Sequence, residues 1–78
     1  MVSIDKKMIQ DRLDEMKKSQ KWLALKIGMD PAAFNNALSK GRLSKERTYK
    51  LCKEIDLAPE AVTGQLEIFR GFEDLHPR

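Results

Sequence analysis

Lysine and arginine are concentrated in the middle of this 78-residue chain. Residues 17–53 contain ten basic and two acidic side chains, a net charge of +8, whereas residues 1–16 and 54–78 carry net charges of −1 and −4. Clustered basic side chains attract polyanions because they neutralise phosphates and release the bound counterions. The pattern therefore suggests a surface that faces a polyanion, while solvated lysines on helix faces would give the same composition.

Residues suited to catalysis or metal binding are sparse. The one cysteine, Cys52, allows neither an internal disulfide nor a four-thiolate zinc site, and its place on an apolar helix face predicts a small buried side chain. The one histidine, His76, is near the end of the chain, where solvent exposure is expected. Because no glycine-rich phosphate loop, metal-ligand spacing or Ser/His/Asp set is present, we predict a protein that is not an enzyme and binds no cofactor or metal.

The length and composition predict one small intracellular domain. Hydrophobic residues make up 41% of the chain and charged residues 35%, which is typical of a globular domain rather than a disordered or collagenous chain. No apolar run approaches the roughly 20 residues of a membrane span, and the first residues lack the apolar core of a secretory signal. We therefore predict a soluble cytoplasmic protein with no membrane association.

Capping residues and apolar spacing predict five short helices and an all-α fold. Ser19, Asp30 and Ser44 are N-cap residues, and Pro31 occupies the first helical position after Asp30, where its missing N–H is tolerated. Gly28 is placed to end the second helix. The predicted helices cover, to within a residue or two, residues 5–17, 20–27, 31–39, 44–55 and 59–64. We place a domain at 1–64 and a C-terminal tail at 65–78, whose apolar spacing fits either a helix or a strand.

Two of the predicted helices, residues 20–27 and 31–39, are joined by a short turn that contains glycine, which is the layout of a helix-turn-helix. Ala24 is the small residue needed where the two helices cross, and Gly28 can adopt the left-handed conformation that the turn requires. Three apolar residues are placed to hold the pair against the core: Leu23, Ile27 and Phe34.

The run SQKWLALKIGMDPAAF at residues 19–34 resembles the Cro/CI (Xre-type) helix-turn-helix family of phage and bacterial transcriptional regulators. The residues in register with the family's motif are Gln20, Ala24, Gly28 and Phe34, and the order of the five predicted helices extends the resemblance over residues 8–64. The resemblance implies a compact, lambda-repressor-like bundle. It also implies a sequence-specific regulator of transcription, a Cro-like repressor or genetic switch protein, that reads the major groove of double-stranded DNA with helix 31–39.

The resemblance places base-contacting positions at the start of that helix and one turn further on, at Pro31, Ala32, Asn35 and Asn36. Asparagine can pair bidentately with adenine and an alanine methyl group can touch the thymine methyl group, so an A/T-containing half-site is expected, with Asn36 preferred over Asn35. Proline offers no donor. Phosphate contacts are expected around the motif, from Gln20, Lys21, Lys40, Arg42 and Lys45.

A module of this size reads few base pairs, so most relatives dimerise to bind two half-sites about 34 Å apart. We therefore expect a homodimer on its DNA operator. The candidate interface residues are the apolar residues of the tail: Leu66, Ile68, Phe69, Phe72 and Leu75.

Two features depart from the family. The third helix closes at Gly41, one residue later than is usual, and Trp22 and Leu25 stand at i, i+3 where the family usually has polar residues. This pair could pack on the first helix, on the tail or on a partner, and packing is the preferred interpretation. The alternative function is a protein-interaction module on the same fold, such as an antirepressor or the antitoxin of a toxin–antitoxin pair, that binds a protein partner through Trp22, Leu25 and the acidic tail.

Overall fold

The computed structural model describes residues 1–64 of the chain. These residues form five helices, as predicted, and two short strands that were not predicted. The helices are α1 Lys6–Met16, α2 Gln20–Lys26, α3 Pro31–Lys40, α4 Lys45–Ile55 and α5 Pro59–Thr63, and the strands are β1 Val2–Ser3 and β2 Arg42–Leu43. The predicted tail, with its candidate dimer-interface residues and His76, lies outside the described residues.

The helix starts follow the predicted caps. The Ser19 hydroxyl accepts a hydrogen bond from the Trp22 amide at 3.0 Å, and the Ser44 hydroxyl accepts one from the Arg47 amide at 3.2 Å. Such side-chain acceptors satisfy amides that the first helical turn leaves without a partner. The predicted start of each of these two helices is therefore confirmed.

The third helix ends one residue later than predicted. It continues to Lys40, and Gly41 forms its C-cap with φ of 71°. The Gly41 amide donates to the Leu38 carbonyl at 3.1 Å, which closes the last turn. A left-handed C-cap favours glycine because a side chain at Cβ would crowd the backbone there.

The core lies where α2, α3 and α4 meet. Leu23, Ala24, Phe34, Leu51 and Ile55 are each completely buried. Ala24 contributes little volume, so the backbones of α2 and α3 can approach closely at this point. Cys52 is also completely buried, which confirms the predicted burial of this small side chain.

The two strands join the N-terminal residues to the segment that follows α3. They pair antiparallel, with Val2 opposite Leu43 and Ser3 opposite Arg42. The next amide, of Ile4, donates to the Gly41 carbonyl at 2.9 Å. The described residues are mostly helical, which agrees with the all-α prediction, and they add one small sheet that was not predicted, because a two-residue strand is too short to show periodicity in sequence. Along the described part of the chain, no helix is long and apolar enough to cross a membrane.

Candidate nucleic-acid interface

The turn between α2 and α3 holds the two helices in a fixed relation. Gly28 has φ of 75°, and its amide donates to the Leu25 carbonyl at 3.2 Å. The Met29 amide reaches back to the Ala24 carbonyl at 2.8 Å, so two carbonyls at the end of α2 are satisfied inside the turn. Ile27 is 3% exposed and anchors the turn to the core. The orientation of α3 is therefore set by backbone hydrogen bonds and buried side chains.

The third helix has one buried face and one exposed face. Phe34 and Leu38 point into the core, whereas Ala32, Asn35 and Asn36 are exposed. Residues at i, i+3 and i+4 lie on the same side of a helix. The structure therefore brings three of the four predicted base-contacting residues onto one solvent face, and the fourth, Pro31, is half-buried at the start of the helix.

A side-chain hydrogen bond connects α2 to this exposed face. The Gln20 amide nitrogen Nε2 donates to Asn35 Oδ1 at 3.1 Å. The bond uses the carbonyl oxygen of Asn35 and leaves its NH₂ group as a donor. Gln20 and Asn35 were predicted separately, as a phosphate contact and a base contact, and the sequence contained no sign that they touch.

A surface depression runs along α3 toward β2 and the start of α4, and basic residues surround it. Its lining includes Met1, Met29, Ala33, Asn36, Ala37, Lys40, Arg42, Leu43, Ser44 and Arg47. Asn36, Lys40 and Arg42 were predicted as DNA-contacting residues, and they lie together here. Arg47 was missed, although its position three residues after the Ser44 cap could have placed it on the first turn of α4.

Three of the residues that line this depression are basic: Lys40, Arg42 and Arg47. Within residues 1–64, no carboxylate forms an ion pair with Lys40, Arg42 or Arg47, and all three are exposed. Ion pairs between described residues elsewhere include Lys7–Asp11, Arg12–Glu15 and Lys50–Glu46. The positive charge around the depression is therefore not neutralised by neighbouring side chains, which favours an anionic ligand.

The remaining predicted phosphate contacts are not part of the depression. Lys21 is exposed near the start of α2, next to Gln20, and Lys45 is exposed at the start of α4. Gln20 instead lines a second depression between α1 and α2, together with Asp14 and Lys18. The predicted DNA-contacting residues thus form one cluster at the depression, with further predicted contacts at the start of α2 and at the start of α4.

The two unusual apolar residues of α2 have different surroundings. Trp22 is half-buried and packs against the core, and the ammonium groups of Lys18 and Lys26 lie 5.2 and 5.9 Å from its ring centroid, within the range of a cation–π contact. Leu25 is 61% exposed. Trp22 therefore packs on the core as predicted, whereas the described residues leave Leu25 exposed. The tail, the other predicted packing partner of Leu25, lies outside the described residues.

Comparison with known proteins gives no relative: no protein-family model, curated protein or solved structure matches the chain. In addition, residues 1–64 contain no group of three or more His, Cys, Asp or Glu side chains that could hold a metal ion. A functional assignment therefore depends on the geometry and charge of the surface formed by α2, α3 and the start of α4.

Proposed function

We propose that this protein is a sequence-specific DNA-binding regulator of transcription, in which α2 and α3 form a helix-turn-helix of the Cro/CI type and α3 reads the major groove. The observation that carries the proposal is the exposed face of α3. It presents Asn35 and Asn36 beside Lys40, Arg42 and Arg47, three basic residues that form no ion pair within residues 1–64. Amide groups that can read bases thus stand next to cations that can hold phosphates.

The size and composition of α3 suit a major groove. The groove is about 12 Å wide and admits one helix, whose first residues contact base edges. The small side chains Ala32 and Ala33 let the start of α3 approach the bases closely, and their methyl groups can touch the methyl group of thymine. Asn36, one turn further on, can pair with N6 and N7 of an adenine, so the proposed half-site contains A/T base pairs.

The hydrogen bond between Gln20 and Asn35 supports the same arrangement. It limits the rotamers of Asn35 before DNA is bound, so less conformational entropy is lost on binding. The bond also places Gln20, at the start of α2, next to a base-reading residue. Gln20 and Lys21 are therefore proposed to contact the phosphate backbone on one side of the groove, and Lys40, Arg42 and Arg47 on the other.

The first test is selection from a random duplex library at about 50 and 200 mM salt, since specific binding outlasts the salt-sensitive nonspecific component. The expected product is an inverted repeat of A/T-containing half-sites spaced by about one helical turn. On the selected operator, Asn36→Ala should weaken binding about tenfold or more, because a bidentate pair discriminates by roughly 1–3 kcal/mol. Its thermal unfolding should match that of the parent, since Asn36 is exposed.

Gln10→Ala is the matched control, because it removes an exposed amide from α1. Unchanged operator affinity in Asn36→Ala would count against base reading by α3. Failure to enrich any sequence at either salt concentration would reject the DNA-binding proposal as a whole.

The second candidate function is a protein-interaction module, and the exposure of Leu25 favours it. A large apolar side chain that is 61% exposed beside the half-buried Trp22 forms an apolar spot, with Lys18 and Lys26 close by. An acidic partner with an apolar anchor would complement this surface. Absence of an enriched DNA sequence, combined with a full loss of partner binding in Leu25→Gln, would support this second function.

A further inference from the structure

The depression beside α3 has an apolar floor. Leu43 is buried, Met29 and Ala37 are half-buried, and all three line the depression. Contacts with DNA phosphates need cations and hydrogen-bond donors but no apolar carbon, so the proposed DNA contacts leave this floor without a role. A concave surface that combines apolar side chains with a few polar groups is typical of a site for a small molecule.

Three cations surround this floor. Lys40 ends α3, Arg42 belongs to β2 and Arg47 lies in the first turn of α4, so three separate elements place positive charge around one concavity. All three side chains are exposed, and none forms an ion pair with a carboxylate of residues 1–64. Charges beside an apolar surface are screened by water less than isolated surface charges, so the rim attracts an anionic group.

Two polar side chains of the lining add hydrogen-bond donors. The Ser44 hydroxyl accepts a hydrogen bond from the Arg47 amide at 3.2 Å, and its own O–H can still donate to a ligand. The side-chain amide of Asn36 is exposed and carries two N–H donors. An anion held at this rim therefore receives hydrogen bonds as well as charge.

The size of the depression suits a small molecule. Its volume is about 440 Å³. Ligand sites have volumes of roughly 300–1,000 Å³ and bury most of the ligand surface. A compact organic molecule can therefore place its apolar body on the floor while its charged group stays at the rim.

We propose that this depression binds a small organic anion with a compact apolar body, such as an aromatic carboxylate or an aryl phosphate. The apolar body contacts Met29, Ala37 and Leu43, and the anionic group faces the three cations and accepts a hydrogen bond from Ser44. Because the same cations are the proposed phosphate contacts, a bound ligand excludes the DNA backbone and releases the operator. This competition rests on the proposed DNA-binding function, whereas the ligand site itself does not.

The direct test is a titration of the full chain with 2-naphthoate in the absence of DNA, followed by backbone amide NMR. Saturable binding is expected with a Kd of about 1 mM or tighter, the affinity of a ligand of this size with ordinary efficiency per atom. The largest shifts are expected along the depression, at Ala33, Asn36, Ala37 and Arg47. A parallel titration with 2-naphthyl phosphate shows which anionic group binds more tightly.

Two further probes separate charge from apolar contact. The neutral 2-naphthamide lacks the charge and acetate lacks the rings, so each should bind at least about tenfold more weakly than 2-naphthoate. Equal binding of 2-naphthamide would overturn the proposal, because the cations would then have no role. Shifts centred on Trp22 and Leu25, the apolar spot of α2, would overturn it as well.

Variants locate the site. Arg47→Gln should weaken 2-naphthoate binding about tenfold, since a charge-assisted hydrogen bond is lost, whereas Lys21→Gln removes an exposed cation outside the depression and should have no effect. Met29→Gln should weaken binding severalfold because the floor becomes polar. Met8→Gln is its matched control, a half-buried methionine of α1 that lies outside the depression. Thermal unfolding verifies that each variant is folded, and equal effects of a variant and its control would contradict the assignment.

Competition with the selected operator tests the regulatory step. Saturating 2-naphthoate should release the operator from the parent, and acetate at the same concentration should not. If 2-naphthoate binds but the operator stays bound, the competition is overturned. If no operator can be selected but 2-naphthoate binds at the depression, the proposed function fails and the ligand site stands. If 2-naphthoate does not bind while an operator is selected, the inference fails and DNA binding stands.

Discussion

Asn35 and Asn36 are neighbours on the exposed face of α3 but have different surroundings. Asn35 accepts a hydrogen bond from Gln20, whereas Asn36 lines the depression that also contains Lys40 and Arg42. Both therefore suit the proposed groove-reading surface, Asn35 through restricted rotamers and Asn36 through adjacent positive charge. The preference for Asn36 over Asn35 as the base-contacting residue stays a prediction. The hydrogen bond from Gln20 strengthens the proposal that Asn35 also contacts a base.

Arg12 links two helices through a backbone carbonyl. Its Nε donates to the carbonyl oxygen of Ile55 at 2.7 Å, and Ile55 is the last residue of α4. The last carbonyls of a helix lack an intrahelical partner, and a cation there also complements the helix dipole. Arg12 therefore ties α1 to the end of α4, although in sequence it resembles any other basic residue on a charged helix.

Replacing Arg12 with Met should lower the free energy of unfolding by about 1–2 kcal/mol, since the apolar stem is retained and the charged donor is lost. Urea unfolding measures the change. Lys7→Met is the matched control, because it breaks the exposed Lys7–Asp11 pair, which is expected to contribute less than about 0.5 kcal/mol. Equal losses in the two variants would show that the Ile55 hydrogen bond has no special role.

At the scale of the elements, short local signals decide where helices begin and end. Serine or aspartate caps start α2, α3 and α4, and Gly28 and Gly41 turn the chain after α2 and α3. The turn at Gly28 matters most for the proposed function, because it sets the angle between the two helices of the candidate motif. Its geometry depends on a positive φ, which few residues other than glycine adopt readily.

Substituting Gly28 with Ala should therefore lower stability by about 1–2 kcal/mol, the usual cost of a left-handed conformation for an L-residue. An added Cβ would meet no atom within 4 Å, so the cost is conformational and not steric. Thermal unfolding should show a decrease in Tm of roughly 4–8 °C per kcal/mol for a domain of this size. Gly28→Asn should cost less than Gly28→Ala, because asparagine tolerates this conformation better. The opposite order would contradict a conformational cause.

At the scale of the whole molecule, basic residues are concentrated in one segment of the chain, and several of them lie together in the folded structure. The segment 17–53 carries the positive excess, and three of its basic residues, which form no ion pair within the described part of the chain, lie around one depression beside α3. A single surface of this size contacts few base pairs, so high affinity for an operator requires two copies. The apolar tail residues proposed for that dimer lie outside the described residues, and the dimer stays a prediction.

Replacing Phe69 and Phe72 with Ser tests the dimer. The expected result is a folded monomer of 9.0 kDa in sedimentation equilibrium, with operator binding weakened because the two half-sites are no longer bound by a linked pair. Circular dichroism shows whether the helices persist. A variant that keeps both the mass and the affinity of the parent would exclude these residues from the interface.

The sequence alone determined the number and order of the helices and three of their N-caps. The signals at Ser19, Asp30 and Ser44 act on amides two or three residues away, so they can be read locally. The apolar anchors of the helix pair, Leu23, Ile27 and Phe34, were likewise predicted from the sequence and are buried, because helical geometry converts a sequence position into a side of the helix.

The tertiary structure alone decided which distant residues meet. The pairing of β1 with β2, the Gln20–Asn35 hydrogen bond and the place of Arg47 beside Asn36 each join residues from separate elements. The exposure of Leu25 likewise depends on what the neighbouring helices leave uncovered. No local signal specifies such contacts, because they arise from the relative orientation of helices, which is set by the packing of the whole core.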